Sequence, residues 1–237
     1  MSNSTNKSSQ STKQRFYAQA EIAQTYDERR FGGASGAWVN AREIGLVSAL
    51  LPPFQRALDL GCGTGRLSRA LSVHGSVIGM DTSSAMLAQA HPDNPAGLVQ
   101  GDAFAIPCAA ESFDVVVALR VVFHFADIEP LLREMTRVVA PRGSVIFDTY
   151  LWSPRAWIPI DPAHWGSGVF VHSPAQVETA ARGLGWRIEQ SESCFLFSPY
   201  VYRRLPLSLV RALAPVEKKL PRRLHARVFW KLKRTQP

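Results

Sequence analysis

One short segment of the chain combines glycines and an acid in a spacing that suits the binding of a nucleoside-like ligand. Asp59 is followed by Gly61, Gly63 and Gly65, which lie between an apolar run and a helical pattern. Glycine is required where the backbone turns tightly or where a ligand approaches the chain without meeting a Cβ atom. Dinucleotide sites space their glycines G-x-G-x-x-G around a pyrophosphate, which Asp59 would repel. The segment therefore predicts a ligand that carries a cationic amine.

Two further acids follow the next two apolar runs. Asp81 comes directly after residues 76–80, and Asp102 closely follows residues 98–100. In a doubly wound fold, an acid at the end of the second strand accepts hydrogen bonds from both ribose hydroxyls. The carboxyl ends of parallel strands meet along one edge of a sheet, so the acids should lie together. We expect an amino-acid moiety near Asp59, a ribose near Asp81 and a base near Asp102.

A parallel sheet is needed to position these residues, and the order of the apolar runs predicts one. Continuous apolar runs such as residues 115–119 are typical of strands buried on both faces, and their alternation with helical patterns indicates an α/β fold. The predicted strands are 56–60, 76–80, 98–100, 113–119, 144–150 and 186–192, with a hairpin-like strand at 195–197. The predicted helices are 66–73, 84–90, 129–139 and 174–184, after two helical patterns between residues 14 and 49.

These motifs resemble those of class I S-adenosylmethionine-dependent methyltransferases, close to the small ubiquinone/menaquinone-biosynthesis type. The resemblance covers about residues 17–192 and rests on ALDLGCGTG, GMDTSSAML, GDAFAIP, ESFDVVVALRVVFHFAD and LLREMTRVVAPRGSVIFDTY. It implies a Rossmann-like, doubly wound, seven-stranded, mostly parallel sheet and S-adenosylmethionine as cofactor. The cofactor-binding residues that it implies are Tyr26, Asp59, Gly61, Gly63, Gly65, Asp81, Thr82, Met86, Asp102, Ala103 and Leu119. For Tyr26 and Met86, simple packing is an open alternative.

The resemblance also implies an in-line transfer of a methyl group that a sulfonium already activates, so the protein mainly aligns the reactants. His124 is the candidate general base for an acceptor that must lose a proton, because an imidazole has a reference pKa of about 6.5. The alternative is a histidine that shapes the pocket or caps the following helix. Asp127 is interpreted as a cap of the helix that begins near Glu129 rather than as an acid catalyst.

The residues after the fourth strand bear on the acceptor. Methyltransferases that act on exocyclic base amines carry Asp or Asn, Pro-Pro and an aromatic residue where this chain has Ala-Leu-Arg-Val at 118–121. Nucleobase amines are therefore disfavoured, and Cys108 is interpreted as a packing residue rather than a nucleophile. The sequence predicts methyl transfer to a small or lipid-like organic acceptor, at oxygen or carbon. An RNA methyltransferase and a non-catalytic, cofactor-binding regulatory protein are the alternatives.

Several residues are candidates for the acceptor pocket. Arg120 directly follows a buried strand and needs a partner, which could be the methionine carboxylate, an acidic substrate, Asp127 or a structural ion pair. Residues 150–172 are long, irregular and aromatic, which is typical of a lid or pocket wall, although packing against the sheet edge is the alternative. The pocket candidates are Arg120, Trp152, Trp157, His164 and Trp165.

Composition limits the class of protein. The chain has 237 residues, of which 46% are hydrophobic and 19% charged, so global disorder is excluded. No apolar run approaches the 18 or so residues of a membrane span, and residues 1–14 lack the apolar region of a secretory signal. The three cysteines have no metal-ligand spacing, so no metal is expected and a cytoplasmic location is predicted. The predicted divisions are a disordered tail at 1–14, a methyltransferase domain at 15–202 with a cofactor-binding core at about 50–151, and a basic segment at 203–237.

The positive charge is concentrated in that last segment. Residues 203–237 carry eleven Lys and Arg and one acid, Glu217, for a net +10, whereas residues 1–202 carry −2. Apolar residues recur there at helical spacing, Pro215 and Pro221 divide the segment, and Trp230 lies among the cations. These features predict a helical, amphipathic appendage that contacts the inner membrane surface or a lipid-linked or diphosphate-bearing acceptor. Packing on the domain body and contact with RNA are the alternatives.

Overall fold

A seven-stranded sheet with the order β3-β2-β1-β4-β5-β7-β6 forms the centre of the computed structural model, which describes residues 16–153, 156 and 169–235. The expected mostly parallel sheet is confirmed: four of its pairings are parallel, and those of β7 with β5 and β6 are antiparallel. The strands are β1 Arg56–Leu60, β2 Ser76–Asp81, β3 Gly97–Gln100, β4 Phe113–Ala118, β5 Val139–Tyr150, β6 Trp186–Cys194 and β7 Arg227–Arg234.

Helices cover both faces of the sheet. The α-helices are α1 Ala20–Gln24, α2 Tyr26–Phe31, α3 Gly33–Leu50, α4 Arg66–Leu71, α5 Ser84–Leu87, α6 Glu129–Val138, α7 Pro174–Gly183, α8 Pro199–Arg204 and α9 Leu207–Lys219. Alternate residues of β4 enter two separate cores, since Val116 packs in one cluster while Val115 and Val117 pack in the other. Burial on both faces explains why this strand is a continuous apolar run in the sequence.

The register of the parallel strands brings the predicted acids to one edge. Leu60 at the end of β1 pairs with Met80 of β2, and Asp81 pairs with Gln100 of β3. Strands β1, β2 and β3 therefore end side by side, at the edge where ligands bind in open α/β sheets.

The expectation of a helical appendage is wrong for the end of the chain. Residues Arg227–Arg234 form β7, which lies inside the sheet between β5 and β6. Val228, Trp230 and Leu232 enter one core while Phe229 enters the other, and Trp230 donates a 2.8 Å hydrogen bond to Thr149. The apolar residues there fit the two-residue period of a strand as well as a helical period, and the sheet selects the former.

Two smaller expectations also fail. Pro215 lies inside α9 rather than at a break, because Val210 and Glu217 on either side of it are buried in the body of the protein. Residues 195–197 do not extend β6, because Phe195 takes a left-handed backbone conformation with φ of 61° and turns the chain toward α8. Across the described residues, no helix has the length and apolar character needed to span a membrane.

Candidate cofactor and acceptor site

The glycine segment turns sharply from β1 into α4. Gly61 has φ of 73°, and its N–H donates a 2.7 Å hydrogen bond to the carbonyl of Met80 at the end of β2. A Cβ atom at this position would collide with the Val121 side chain, so only glycine brings the loop this close to the end of β4. Gly61 therefore lets the loop pack against Val121, in the segment that follows β4.

Asp81 is held in place by this loop. Its Oδ2 accepts a 2.8 Å hydrogen bond from the N–H of Gly63, and its Oδ1 accepts a 2.9 Å bond from the N–H of Ser83. Burial raises the pKa of Asp81, although these backbone N–H groups act in the opposite direction. Each carboxylate oxygen has a second lone pair, so the oriented group can also accept two hydroxyl hydrogen bonds from a ribose.

Asp59 lies deeper, at 1% exposure, and its Oδ2 accepts a 2.6 Å hydrogen bond from the hydroxyl of Ser68. Burial raises the pKa of Asp59 to about 6, and the nearby Asp81 carboxylate contributes in the same direction. A buried carboxylate of this kind is stabilised in its ionised form by a cationic partner. The position therefore suits an ammonium group.

These residues surround one cavity of about 150 Å³ at the carboxyl end of the strands. Ten of the eleven residues predicted to bind the cofactor lie in its wall, and their contact with the cofactor itself stays a prediction. Gly65 does not line the cavity and instead precedes α4 with φ of 73°. The ten are Tyr26, Asp59, Gly61, Gly63, Asp81, Thr82, Met86, Asp102, Ala103 and Leu119.

Sequence reasoning missed part of the wall. Tyr17 lines the cavity, with its ring centroid 6.0 Å from that of Tyr26 and 6.4 Å from that of His124. Its carbonyl accepts a 2.7 Å hydrogen bond from Ser83, which fixes the N-terminal segment over the site. Phe104 and Phe125 form an edge-to-face pair at 4.9 Å in the same wall. An aromatic residue just after the polar tail was the only sequence signal for Tyr17.

His124 lies in the cavity wall at the end of a short 3-10 turn, Val122–His124. Its ring centroid is 4.8 Å from that of Phe123. The turn follows β4 and leads toward α6, where Asp127 accepts a 3.0 Å hydrogen bond from the N–H of Glu129 at the helix start. His124 is thus an imidazole placed among aromatic side chains, and its role as general base stays a prediction.

Arg120 also borders the cavity, but its guanidinium forms an ion pair with Glu43 at 3.0 Å rather than with Asp127. Its φ of 66° is a left-handed conformation, and its N–H donates a 2.6 Å hydrogen bond to Asp148. Among the alternatives for Arg120, the structural ion pair is therefore present. A left-handed backbone at a non-glycine residue is strained, and the hydrogen bond to Asp148 stabilises it at Arg120.

Glu43 is the centre of a buried network that the sequence did not reveal. Besides Arg120, it pairs with Arg66 at 2.8 Å and with Arg227, which in turn binds Asp148. Burial alone would raise the pKa of Glu43, but the three guanidinium groups lower it to about 2. The network connects the helix after the glycine segment, the end of β4 and the last strand. Its sequence signal was a single acid within the apolar helix α3.

The remaining pocket candidates are only partly described. Trp152 donates a 3.2 Å hydrogen bond to the carbonyl of Leu224 and is not among the residues around the cavity. Its indole thus contacts the segment before β7, and its place in an acceptor pocket stays a prediction. Trp157, His164 and Trp165 lie outside the described residues.

Together, the parallel sheet, the glycine turn and the oriented Asp81 define a Rossmann-like nucleoside-binding protein. The residues fit S-adenosylmethionine in particular, because a buried acid suited to an ammonium and an oriented acid suited to a ribose line the same cavity. The family model described as "Methyltransferase domain" matches residues 58–147.

Relatives of this family share further sequence. The chain is 31% identical over 173 residues to the ubiquinone biosynthesis O-methyltransferase of Azorhizobium caulinodans, covering 64% of this chain and 67% of that protein. It is 32% identical over 136 residues to the 2-phytyl-1,4-naphtoquinone methyltransferase of Thermosynechococcus vestitus, covering 49% and 60%. The crystal structure of an S-adenosylmethionine dependent methyltransferase from Mesorhizobium loti shares the fold, with a TM-score of 0.61 at 23% identity over 86% of this chain and 100% of that one.

The chain therefore belongs to the class I S-adenosylmethionine-dependent methyltransferases, and its cofactor is S-adenosylmethionine. The resemblance in the motifs is confirmed at this level. The aligned region leaves about a third of the Azorhizobium protein unmatched, so this similarity does not assign the methyl acceptor.

Proposed function

We propose that the protein methylates an oxygen or carbon atom of a small, lipid-like acceptor of quinone-precursor type. The observation that carries this proposal is the wall of the cavity around His124, where Tyr17, Phe104 and Phe125 supply aromatic surface beside one titratable group. Aromatic and apolar walls with few polar groups suit a flat, apolar acceptor. Two relatives, the ubiquinone biosynthesis O-methyltransferase and the 2-phytyl-1,4-naphtoquinone methyltransferase, point the same way.

In this proposal the chain's own residues mainly position the reactants. Asp81 binds the ribose, Asp59 receives the amino group, and the glycine turn approaches the methionine moiety. Tyr17 and Tyr26 cover the site and exclude water. The cofactor supplies a methyl group that its sulfonium already activates. Fixing both reactants in line can lower the barrier by ~7–11 kcal/mol.

His124 is the group proposed to take the proton of an acceptor hydroxyl. It lies beyond the end of β4, on the same cavity as Asp59 and Asp81. A positioned general base accelerates such a step by ~10²–10⁴-fold. An acceptor that loses no proton would not need it.

Labelled cofactor tests the acceptor class. Incubation of the protein with methyl-labelled S-adenosylmethionine and cell extract, followed by separation into lipid, small-molecule and RNA fractions, should place the label in the lipid or small-molecule fraction. The Asp81→Ala variant should leave every fraction unlabelled. Label found only in tRNA or rRNA would contradict the proposal, and no transfer despite cofactor binding would favour a regulatory protein.

A matched pair of histidine variants tests the base. His124→Ala should lower kcat by at least ~10²-fold while the affinity for S-adenosylhomocysteine stays unchanged. His91→Ala is the control, because His91 is 51% exposed and lies outside the cavity wall. If the kcat of His124→Ala falls by less than tenfold, or if its thermal stability falls together with its kcat, His124 has a packing role.

Contact with a bilayer, if it occurs through residues 203–237, must use α9 and the turn after it rather than β7. Leu209, Val216 and Leu224 are 45%, 48% and 46% exposed. The same segment also carries exposed cations, each of which contributes on the order of 1 kcal/mol near an anionic bilayer. The exposed cations are Arg211, Lys218, Lys219, Arg222 and Arg223. Exposed apolar and basic side chains in one segment are the features that support this contact.

Co-sedimentation with vesicles tests that contact. The protein should bind anionic but not neutral vesicles at low salt, and Leu209→Ser with Val216→Ser should abolish binding. Val73→Ser is the control, because Val73 is 79% exposed on a different part of the surface. Binding that survives the double substitution would contradict a role for α9.

A further inference from the structure

A second cavity, of about 280 Å³, lies beside the cofactor site and is lined by four arginines. Arg29 and Arg30 come from the last turn of α2, and Arg203 and Arg204 from the last turn of α8. These helices are about 170 residues apart in the sequence and meet only in the folded protein. Tyr26 belongs to the wall of both cavities, so the arginine cavity borders the cofactor site directly.

The four guanidinium groups have no internal counter-charge within the described part of the chain. None of the described residues that line the cavity is acidic, and none of the four arginines forms an ion pair there. Arg203 donates a 3.1 Å hydrogen bond to the backbone carbonyl of Glu28, which positions it without neutralising it. A helix C-terminus attracts single cations, but this effect does not require two such ends to converge on one cavity.

Arg30 is held by aromatic rings. Its guanidinium carbon lies 4.5 Å from the ring centroid of Tyr200 and 5.5 Å from that of Tyr26. Stacking on a ring fixes the plane of a guanidinium and leaves its in-plane N–H groups directed outward. Arg30 is therefore arranged in advance to donate hydrogen bonds to an anion.

We propose that this cavity binds a phosphate or diphosphate group of the methyl acceptor. Guanidinium groups bind phosphate oxygens in pairs of hydrogen bonds, and a single carboxylate would occupy one arginine of the four. A group of two or more negative charges balances the cluster better. The inference rests on the proposed function, because it assumes that the acceptor reaches from this cavity past Tyr26 to the cofactor.

Binding of inorganic pyrophosphate to the full-length protein tests the cavity. Calorimetry should show that pyrophosphate binds to the wild type. It should bind at least ~10-fold more weakly to the double variant that carries Arg29→Gln and Arg204→Gln. The charge-matched control is Arg142→Gln with Arg187→Gln, since both arginines are exposed and lie outside the cavity wall. The control should bind pyrophosphate as the wild type does. No binding to the wild type, or equal weakening in both double variants, would overturn the inference.

S-adenosylhomocysteine binding separates this inference from the proposed function. All three proteins should bind S-adenosylhomocysteine equally, which shows that the folded cofactor site is intact. If the wild type binds pyrophosphate but transfers no methyl group to lipid or small molecules, the proposed function fails and the anion site remains.

Vesicles distinguish the source of the phosphate. If it belongs to a membrane lipid, pyrophosphate should displace the protein from phosphatidylglycerol vesicles, and the cavity variant should bind them more weakly than the control. If pyrophosphate binds but displaces nothing, the phosphate belongs to a soluble acceptor. Displacement from phosphatidylglycerol would contradict the assignment of the phosphate to the methyl acceptor, whereas pyrophosphate binding without displacement supports it.

Discussion

The two halves of the sheet are organised in opposite ways. Around β1, β2 and β4, the site is built by residues close together in the chain, as when the Gly63 N–H binds Asp81, 18 residues away. Around β5, β7 and β6, the stabilising contacts are remote: Trp230 binds Thr149 across 81 residues, and Arg227 binds Glu43 across 184. The turn at the cofactor edge is therefore formed by residues near one another in the chain, whereas its support depends on the last residues of the chain.

Glu43 is where the halves meet. Arg66 and Arg120 approach it from the cofactor side, and Arg227 approaches it from β7. Because the three cations share one buried carboxylate, a change at the end of the chain should affect the site. The predictions below test that dependence, from the largest effect to the smallest.

Removal of β7 should have the largest effect. A chain that ends at Ala226 loses the strand between β5 and β6 and leaves Asp148 without Arg227. We expect no cooperative thermal unfolding transition by circular dichroism, because both neighbouring strands then expose unpaired backbone groups. Deletion of residues 1–14 is the control and should leave the transition in place. A truncated protein that still unfolds cooperatively and binds S-adenosylhomocysteine would contradict the role of β7.

Glu43→Gln should lower the free energy of unfolding at pH 7 by about 3–5 kcal/mol, because buried guanidinium groups lose their counter-charge. Its pKa falls from 4.5 in the unfolded chain to about 2 in the folded protein. The carboxylate's contribution is therefore present above pH 4.5 and is lost as the pH falls through about 2. Urea titrations at several pH values measure it. Glu192→Gln, on an exposed residue, should change little.

Asp81→Ala should weaken S-adenosylhomocysteine binding by at least ~10²-fold, because two hydrogen bonds to a charged acceptor are lost, each worth ~1.5–3 kcal/mol. The affinity of Asp81→Asn should lie between those of the wild type and Asp81→Ala, because the amide keeps one acceptor oxygen. Calorimetry gives the affinities, with Asp93→Ala as a control on an acid whose side chain is 80% exposed. Wild-type affinity in Asp81→Ala would show that the ribose is bound elsewhere.

Asp59 should produce a smaller, pH-dependent effect. Burial raises its pKa to about 6, and a bound ammonium favours its ionised form, so cofactor affinity should fall below pH 6 by up to tenfold per pH unit. In the free protein, the raised pKa affects folding stability in the opposite direction. Protonated Asp59 stabilises the fold at low pH, and this contribution is lost as the pH rises through about 6. Asp59→Asn should remove both dependences, as calorimetry and thermal unfolding across pH 5–8 can measure. An unchanged pH profile would place the amine away from Asp59.

Local patterns were sufficient for the cofactor half of the molecule. The bounds of β1 follow from its apolar run, and the glycine turn follows from the residue type that a positive φ and a close approach require. The acids at the ends of β1 and β2 and just after β3 all border one cavity, because parallel strands end at one edge. His124 borders the same cavity and was predicted from the family resemblance of the segment that follows β4.

The sequence by itself thus determined the α/β class, the cofactor edge and its chemistry, because each depends on residues adjacent in the chain. Only the tertiary structure decided that residues 227–234 form a strand, that Glu43 joins three arginines, and that Arg29 and Arg30 meet Arg203 and Arg204. The apolar residues of 227–234 fit the period of a strand and that of a helix. They form a strand because the backbone N–H and C=O groups of β5 and β6 are available to pair with them. Charges that lie far apart in the chain become neighbours only when folding removes the solvent between them.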